Sequence, residues 1–293
     1  MLIETLSTFP HMYDSVMGES MMKRAQEKGI LEFRAHDLRD WTHDRHRTTD
    51  DDPYGGGAGL VMKCDPIFEA VEAILGKEFV EAKLASAMGE AAPGGLASSS
   101  TMVEFGGDAG CPDRASSAAP QIVFLAPQGR PFDDAYADKL AAADHLLFIC
   151  GHYEGIDERV YALADHVISL GDYVLTSGEL ASMVVIDAAV RKLPGVLGAA
   201  DGPVDESFTS GLLEYPQYTR PADFRGMRVP EVLTSGNHAA IARWRREQSL
   251  ARTAAARPDL IAAAEAAGRL APADQKFLKL LEPAPTGAAE GVS

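Results

Sequence analysis

The stretch SLGDYVLTSGEL, residues 169–180, is the most informative part of this sequence. The apolar run before it breaks at Gly171, and the apolar triplet 173–175 breaks at Gly178, after which a long apolar helical pattern begins. Two glycine breaks at the carboxyl end of a buried strand predict a pocket lined by main chain, which suits a flat heterocycle. An ordinary strand-turn-helix connection is equally compatible with this stretch alone.

Length and composition predict a globular protein. The 293 residues are enough for one large domain or two ordinary ones, and 46% apolar residues allow a sizeable core. The net charge of -16 argues against wholesale polyanion binding but is compatible with a local basic patch. The three cysteines fit no zinc motif or disulfide framework, which is typical of reduced thiols. Without an apparent signal peptide or membrane-length apolar run, we expect a cytoplasmic protein with no membrane contact.

The pattern along the chain predicts two domains. Strands alternate with helices in the first part, which predicts a mostly parallel sheet covered on both faces. The expected order is a first domain over 1–197 with a flexible insertion at about 90–120, a linker over 198–210, a small mainly helical domain over 211–282 and a disordered tail over 283–293. Within the first domain we expect one helix over 15–28 and another that Asp65 caps and that ends near Ala82.

Three glycine-containing loops each follow a predicted strand. They are LAPQG at 125–129, GHYEGIDER at 151–159 and the stretch 169–180. Loops at the carboxyl ends of parallel strands converge on one crevice, so we expect a single ligand site there. The chain contains neither G-x-G-x-x-G nor G-x-x-x-x-G-K-[ST], so neither a dinucleotide site nor a phosphate-cradling loop is supported.

A basic cluster occupies the second predicted domain. Between Gly211 and Arg257, arginines outnumber acidic residues by 8 to 4. Aromatic residues are interleaved with them: Tyr215, Tyr218, Phe224 and Trp244. This mixture suits phosphate contact and stacking on unpaired bases. The alternative is a solvated helix face with Trp244 in the core, which we favour for Trp244 itself.

Seven segments occur in the order PYGGGAGL, APQGR, CGHYEGIDER, SLGDYVLTSGEL, LPGVLG, LLEYPQYTRP and LTSGNHAAIARWR. In this order they resemble the bacterial tRNA (guanine-N1)-methyltransferase family of the SPOUT class. The resemblance covers nearly the whole chain except the insertion and the tail. It implies an α/β domain with a trefoil knot, an obligate homodimer, S-adenosylmethionine as methyl donor and methylation of guanosine 37 in tRNA. It also suggests magnesium.

The resemblance implies which residues hold the donor. They are Pro127, Gln128, Gly129, Gly151, Tyr153, Glu154, Gly155, Leu170, Gly171, Asp172, Tyr173, Val174, Leu175 and Gly178. Main-chain groups of Leu170, Tyr173 and Leu175 can read an adenine edge. Glu154 either faces the cationic donor or is a solvated loop carboxylate.

Substrate contacts are expected in two places. The basic cluster supplies Arg220, Arg243 and Arg245. The loop that contains Asp52 and Tyr54 resembles a family loop near the target guanosine, although Asp52 is equally suited to capping a turn. His152 stands where other members often have Arg, and no catalytic role is expected for it.

Methylation of guanine N1 requires a base for the N1 proton and stabilisation of negative charge on O6. The family pattern implies that Arg191 stabilises O6. The family's catalytic Asp position falls on Glu206, and Asp205 stands beside it where Glu is usual, so the two acids are exchanged. Which of them is the base stays open, as does the alternative that both merely solvate a linker.

Two other functions remain alternatives. One is a SPOUT-class methyltransferase that acts on another RNA, and the other is a non-catalytic RNA-binding relic. The acidic pair Asp205-Glu206 favours a protonated base nitrogen as the target. The presence of Arg191 together with this pair argues against the relic.

Overall fold

The computed structural model of the chain describes residues 1–89, 119–197 and 206–281. Nearly all of the predicted insertion, most of the predicted linker, Asp205 and the predicted tail lie outside the described residues. The chain divides into two compact units, Met1–Gly198 and Ala199–Ser293.

A parallel sheet forms the centre of the N-terminal unit. The strands in the described part of this unit are β1 (Leu2–Ser7), β2 (Glu32–Asp37), β3 (Asp50–Asp51), β4 (Val61–Met62), β5 (Gln121–Pro131), β6 (His145–Ile149) and β7 (His166–Ser169). Five of them pair in parallel in the order β2-β1-β6-β5-β7, and β3 pairs with β4 in antiparallel fashion. The predicted parallel α/β architecture is therefore confirmed.

Helices cover both faces of this sheet. The α-helices are α1 (Asp14–Met17), α2 (Ser20–Glu27), α3 (Cys64–Leu75), α4 (Lys77–Gly89), α5 (Asp134–Ala141) and α6 (Gly178–Val190), with short 3-10 helices at Pro10–Tyr13, Leu38–Trp41 and Glu158–Leu163. Successive residues of a strand point to opposite faces. Accordingly Val123 and Phe148 join one buried cluster with residues of α5 and α6, and Ile122 and Leu147 join another with residues of α3.

Two predicted helices are each broken in two. The predicted helix over 15–28 is interrupted between α1 and α2, where Ser20 has a positive φ of 49°. The predicted helix from Asp65 to Ala82 is interrupted at Gly76, whose φ of 97° ends α3 before α4 begins. Asp65 does not cap α3, because the N-cap is Lys63 and Asp65 lies in the first helical turn.

The predicted loop 125–129 is part of a strand. β5 continues through it to Pro131, and its pairing with β7 shifts register between Leu125 and Arg130. A Cβ on Gly129 would lie 2.5 Å from the Ile168 main-chain nitrogen, so only glycine lets β5 pass this close to β7.

The C-terminal unit is mainly helical. Its described elements are β8 (Asp223–Phe224), β9 (Met227–Arg228), α7 (Glu231–Thr234), α8 (His238–Ala256), α9 (Pro258–Ala266) and α10 (Pro272–Leu281). A small buried cluster contains Leu212, Leu250, Ala264 and Leu270. Arg246 on α8 donates to the carboxylate of Asp274 on α10 at 2.7 Å, and this guanidinium lowers the pKa of Asp274. Within the described residues, no helix is long and apolar enough to cross a membrane.

Candidate functional site

The three predicted glycine-containing segments line one cavity of about 310 Å³ in the N-terminal unit. The cavity lies at the carboxyl ends of β6 and β7, beside the register shift of β5. Its lining residues are Leu125, Ala126, Pro127, Gln128, Gly151, His152, Tyr153, Glu154, Gly155, Ile156, Glu158, Tyr161, Ile168, Ser169, Leu170, Gly171, Tyr173, Val174, Leu175, Thr176, Ser177, Gly178 and Ala181. All predicted donor residues line it except Gly129 and Asp172.

Glycine allows α6 to start directly against the end of β6. The Gly178 N–H donates to the Gly151 carbonyl at 2.8 Å. A Cβ on Gly178 would lie 2.7 Å from the Gly151 main-chain nitrogen. The main chains of Gly151 and Gly178 therefore approach each other closely at this end of the cavity.

The wall at 169–178 offers groups for a heterocyclic ligand. The Ser177 hydroxyl is buried and has no hydrogen-bond partner among the described residues, so a bound ligand is one way to satisfy it. The Tyr173 N–H already donates to the Gly171 carbonyl at 2.9 Å, so it is engaged within the loop rather than aimed at a ligand. This finding removes one of the main-chain donors expected to read an adenine edge.

The charged residues of the cavity favour a cationic ligand. Glu154 and Glu158 both line it, and no arginine or lysine is among the lining residues that the structure describes. A phosphate group would face two carboxylates, whereas the sulfonium and ammonium groups of S-adenosylmethionine complement them. The buried Ser177 hydroxyl and these carboxylates therefore fit the predicted donor.

A buried carboxylate contacts one of the lining residues of this cavity. Glu179, in the first turn of α6, is completely buried. One of its oxygens accepts a hydrogen bond from the Ser7 hydroxyl, and the other lies 2.7 Å from His152 Nε2. Sequence reasoning assigned no role to His152 and did not select Glu179. The sequence signal for Glu179 was its position as an acidic residue at the start of an otherwise apolar helix. A buried acidic side chain needs a polar partner from elsewhere in the chain.

Cys150, at the end of β6, is an unreactive buried thiol. Burial raises its pKa to about 12, and the Tyr13 hydroxyl lies 3.1 Å from its sulfur. Because the thiolate is the nucleophilic form, this cysteine is unsuited to covalent catalysis at neutral pH.

The glycine-rich segment PYGGGAGL lies against the loop 151–159. The Glu154 N–H donates to the Leu60 carbonyl at 3.1 Å, and the Met62 N–H donates to the Gly155 carbonyl at 3.0 Å. The predicted substrate residue Tyr54 is fully exposed on this segment. Asp52 is also exposed, and the side chain that caps the turn is that of the preceding residue, whose Oδ1 accepts from the Asp52 N–H at 2.8 Å.

Arg191, the predicted catalytic residue that belongs to the N-terminal unit, lies away from this cavity in its own chain. Gly178, at the start of α6, lines the cavity, whereas Arg191 follows the last residue of the helix. The 13 residues of α6 span about 20 Å. Glu206 is half-buried and belongs to the C-terminal unit.

The comparisons with known proteins agree with the resemblance. The sequence matches the family described as "tRNA (Guanine-1)-methyltransferase TrmD" over residues 1–104 and 92–263. This chain belongs to that family. A protein of Symbiobacterium thermophilum is 49% identical over 265 residues, which cover 90% of this chain and 93% of that protein. A protein of Limosilactobacillus reuteri is 48% identical (90% and 91% covered), and one of Moorella thermoacetica is 46% identical (95% and 96% covered). Each of the three is named "tRNA (guanine-N(1)-)-methyltransferase".

In this member of the tRNA (guanine-N1)-methyltransferase family, the arginines of the C-terminal unit differ in their surroundings. Arg243 lies 3.6 Å from Glu247 on the same helix. The Arg245 guanidinium lies 4.8 Å above the Tyr215 ring. Arg220 and Arg245 both line a second cavity, of about 430 Å³, together with Trp244. Trp244 is half-buried and is not part of the buried cluster of this unit, so the expectation that it lies in the core is wrong.

The described residues contain no group of three or more His, Cys, Asp or Glu side chains that could hold a metal ion. For this family member, the use of magnesium stays a prediction.

Proposed function

We propose that this chain transfers a methyl group from S-adenosylmethionine to N1 of guanine in tRNA, at guanosine 37. The observation that carries the proposal is the family membership, since relatives that match over nine-tenths of their length are named for guanine-N1 methylation of tRNA. The carboxylate-lined cavity of the N-terminal unit supports it, because its chemistry fits a cationic, heterocyclic donor.

The predicted donor residues would hold the donor at this cavity. S-adenosylmethionine, when bound, supplies an electrophilic methyl group on its sulfonium. The side chains of Leu170, Val174 and Leu175 sandwich the adenine, and main-chain groups of 169–178 bind its edge. Glu154 and Glu158 attract the cationic part of the donor.

A carboxylate and an arginine complete the reaction. The carboxylate of Glu206 or Asp205 accepts the N1 proton of guanine as the N1–methyl bond forms and the sulfur–methyl bond breaks. Arg191 stabilises the negative charge that develops on O6. The products are N1-methylguanosine and S-adenosylhomocysteine.

The position of Arg191 supports a homodimer. Arg191 lies at the opposite end of α6 from the cavity of its own chain, about 20 Å away. Across a two-fold axis perpendicular to α6, the two copies of this helix run antiparallel. The partner's Arg191 then lies beside the first turn of α6, where the cavity is.

The exposed face of α6 is suited to such pairing. Leu180 and Val184 are four residues apart on one side of the helix, and 42% and 54% of their surfaces are exposed. Met12 and Val16 are also exposed on the neighbouring segment, which the Tyr13 hydroxyl joins to Ser182 on α6 at 2.7 Å. Exposed apolar residues grouped in this way are typical of interfaces. Sedimentation velocity of the full chain tests the dimer, and a monomer at micromolar concentration would exclude it.

The knot of the SPOUT class and a cytoplasmic location are parts of the same proposal. The strand order β2-β1-β6-β5-β7 is compatible with a knotted connection around β7 and α6. Tracing the chain in an experimental structure tests the knot, since residues 170–190 that pass through no loop of earlier residues would exclude it. Cell fractionation tests the location, which follows from the cytoplasmic site of tRNA modification.

A tritium-transfer assay on transcribed tRNA tests the reaction. We expect label to enter tRNA with G37 and to be absent from tRNA with A37. Transfer to both substrates would exclude guanosine 37 as the target and favour another RNA position. Transfer to neither, with donor binding retained, would favour a non-catalytic RNA-binding protein.

A further inference from the structure

A second cavity, of about 430 Å³, lies wholly within the C-terminal unit. The segment before β8, the helix α7 and the first half of α8 enclose it. Its lining residues are Tyr215, Pro216, Gln217, Tyr218, Thr219, Arg220, Ala222, Val229, Leu233, Thr234, Ile241, Trp244 and Arg245. It shares no described lining residue with the cavity of the N-terminal unit that is proposed to bind the methyl donor, which is called the donor cavity below.

Aromatic rings form part of its walls. The rings of Tyr218 and Trp244 have centroids 6.4 Å apart and are tilted by 50°. Tyr218 is about half exposed, and Trp244 is half-buried rather than packed into the buried cluster of the unit. Large aromatic surfaces left open at a cavity favour a ligand with a flat ring.

The charged residues of this cavity are both cationic. Arg220 and Arg245 line it, and within the described part of the chain no acidic side chain is among the lining residues. Neither arginine forms an ion pair within the described residues, whereas Arg246 is held by Asp274 at 2.7 Å. Arg245 instead lies over the Tyr215 ring, which fixes its guanidinium at the cavity. The cavity therefore suits a ligand that combines a flat ring with a negative charge.

We propose that this cavity binds one unpaired nucleotide of the tRNA substrate, other than the guanosine that is methylated. The base stacks on Trp244 and Tyr218, and its phosphate contacts Arg220 and Arg245. The methylated guanosine must instead reach the donor cavity, whose lining residues all belong to the N-terminal unit. This assignment rests on the proposed function, since it names a substrate contact of the same enzyme.

A double-mutant cycle between protein and RNA tests the cavity. Binding of the full chain to a fluorescently labelled anticodon stem-loop is measured for the wild type and Trp244→Ala, with single abasic substitutions at each unpaired position. Trp244→Ala is expected to weaken binding by about 5- to 150-fold, the range for loss of one stacked base. At one loop position other than 37, the abasic substitution and Trp244→Ala together should weaken binding no more than either alone. If the losses of affinity from Trp244→Ala and from the abasic substitution multiply at every loop position, the proposal is overturned.

A second pair of variants tests the phosphate contact. Arg245→Gln should reduce the slope of log Kd against log salt by about 1, as expected for one lost phosphate contact. Arg243→Gln is the matched control, because Arg243 lies on the same helix but is 81% exposed, outside the cavity and near Glu247. Equal losses in the two variants would indicate a diffuse electrostatic surface and overturn the phosphate contact.

Folding and the proposed function are checked separately. Tyr218→Ala changes a more exposed ring and should weaken binding in the same way if Trp244→Ala proves unstable. Methyl transfer to tRNA is measured independently of these binding experiments. If tRNA is methylated but the losses of affinity multiply at every loop position, the cavity proposal is rejected and the function is kept. If one loop position is coupled to Trp244→Ala but no methyl group is transferred, the function is rejected and the cavity proposal is kept. RNA that does not bind at all rejects both.

Discussion

At the residue scale, two adjacent carboxylates, Asp205 and Glu206, are the candidates for the proposed catalytic base. We expect Glu206→Gln to abolish methyl transfer, because an amide cannot accept the N1 proton. Donor binding should be retained, because the cavity residues all lie between Leu125 and Ala181. Single-turnover methyl transfer and calorimetric donor binding measure the two effects. Asp205→Asn is the matched variant. Near-normal methyl transfer by Glu206→Gln together with an inactive Asp205→Asn would show that Asp205 is the base that accepts the N1 proton.

The buried carboxylate of Glu179 makes His152 important for stability. His152→Ala leaves one oxygen of the buried Glu179 side chain without its hydrogen-bond partner, and an unsatisfied buried polar group costs about 1–3 kcal/mol. We therefore expect His152→Ala to lower the free energy of unfolding by this order, whereas His152→Arg keeps a hydrogen-bond donor beside Glu179 and loses less. Urea unfolding followed by circular dichroism measures the difference. A loss in His152→Ala no larger than in the exposed-histidine variant His46→Ala would contradict the expectation.

Single residues of the donor cavity were predictable where local sequence determines them. Gly171 and Gly178 follow apolar runs, and the breaks that they predict are breaks in the structure. The partners of Glu179 were not predictable, because Ser7 lies 172 positions and His152 27 positions away from it. Such pairs depend on strand order, which a single sequence does not reveal.

At the scale of elements, the contact between β6 and α6 depends on Gly178. Gly178 is the first residue of α6, so Gly178→Ala gains less from helix propensity than the about 1 kcal/mol typical of a helix interior. However, its Cβ would lie 2.7 Å from the Gly151 main-chain nitrogen, and such overpacking costs about 1–3 kcal/mol. We therefore expect net destabilisation and weaker donor binding, measured by urea unfolding and calorimetry.

Gly151→Ala is the matched control for Gly178→Ala. Both glycines line the donor cavity, but a Cβ on Gly151 would meet only the side chain of Ile156, at 3.3 Å. A flexible side chain moves more easily than main chain, so the stability loss should be smaller. Equal losses in the two variants would show that the close main-chain approach at α6 is not the cause.

The elements themselves were predictable to different degrees. The apolar run that forms β6 identifies a buried strand regardless of its neighbours. The continuation of β5 through Pro127 and Gly129 was missed, because proline and glycine are typical of loops. It becomes a strand only through pairing with β7, where Gly129 allows the close approach. The break at Gly76 was also missed, although a glycine at the end of an apolar helical pattern is a local signal for a helix end.

At the scale of the whole molecule, stability should depend on pH through His166. This imidazole is buried and lies between the Tyr136 hydroxyl at 2.9 Å and the Gln121 side-chain oxygen at 2.8 Å. Burial, with a smaller effect of Lys139, lowers the pKa of His166 from 6.5 to about 4. The unfolded chain therefore binds the proton first as the pH falls, and stability present above pH 6.5 is lost towards pH 4.

When it is complete, this effect of His166 lowers the free energy of unfolding by about 3 kcal/mol. Urea midpoints measured between pH 7 and pH 4 should fall less steeply in His166→Gln than in the wild type. The matched variant His46→Gln changes an exposed histidine and should follow the wild type. An unchanged slope in His166→Gln would contradict the prediction.

The proposed homodimer predicts that two inactive variants complement each other when they are mixed. If each active site combines the cavity of one chain with the partner's Arg191, two inactive variants should restore activity when mixed. Arg191→Gln has an intact cavity and lacks the guanidinium. Leu175→Arg has an intact Arg191, but it introduces a cation at an exposed position of the cavity wall and should not bind the cationic donor.

A mixed dimer of these two variants contains one intact composite site. That site combines the cavity of the Arg191→Gln chain with Arg191 from the Leu175→Arg chain, while the second site carries both defects. Unfolding and refolding the variants together should therefore restore methyl transfer, to about half the wild-type rate per mixed dimer, since one site of two is intact. Val184→Glu added to both variants places a carboxylate on the apolar face of α6 and should abolish the recovery. If cavity and guanidinium instead act within one chain, every chain in the mixture is defective and no activity returns.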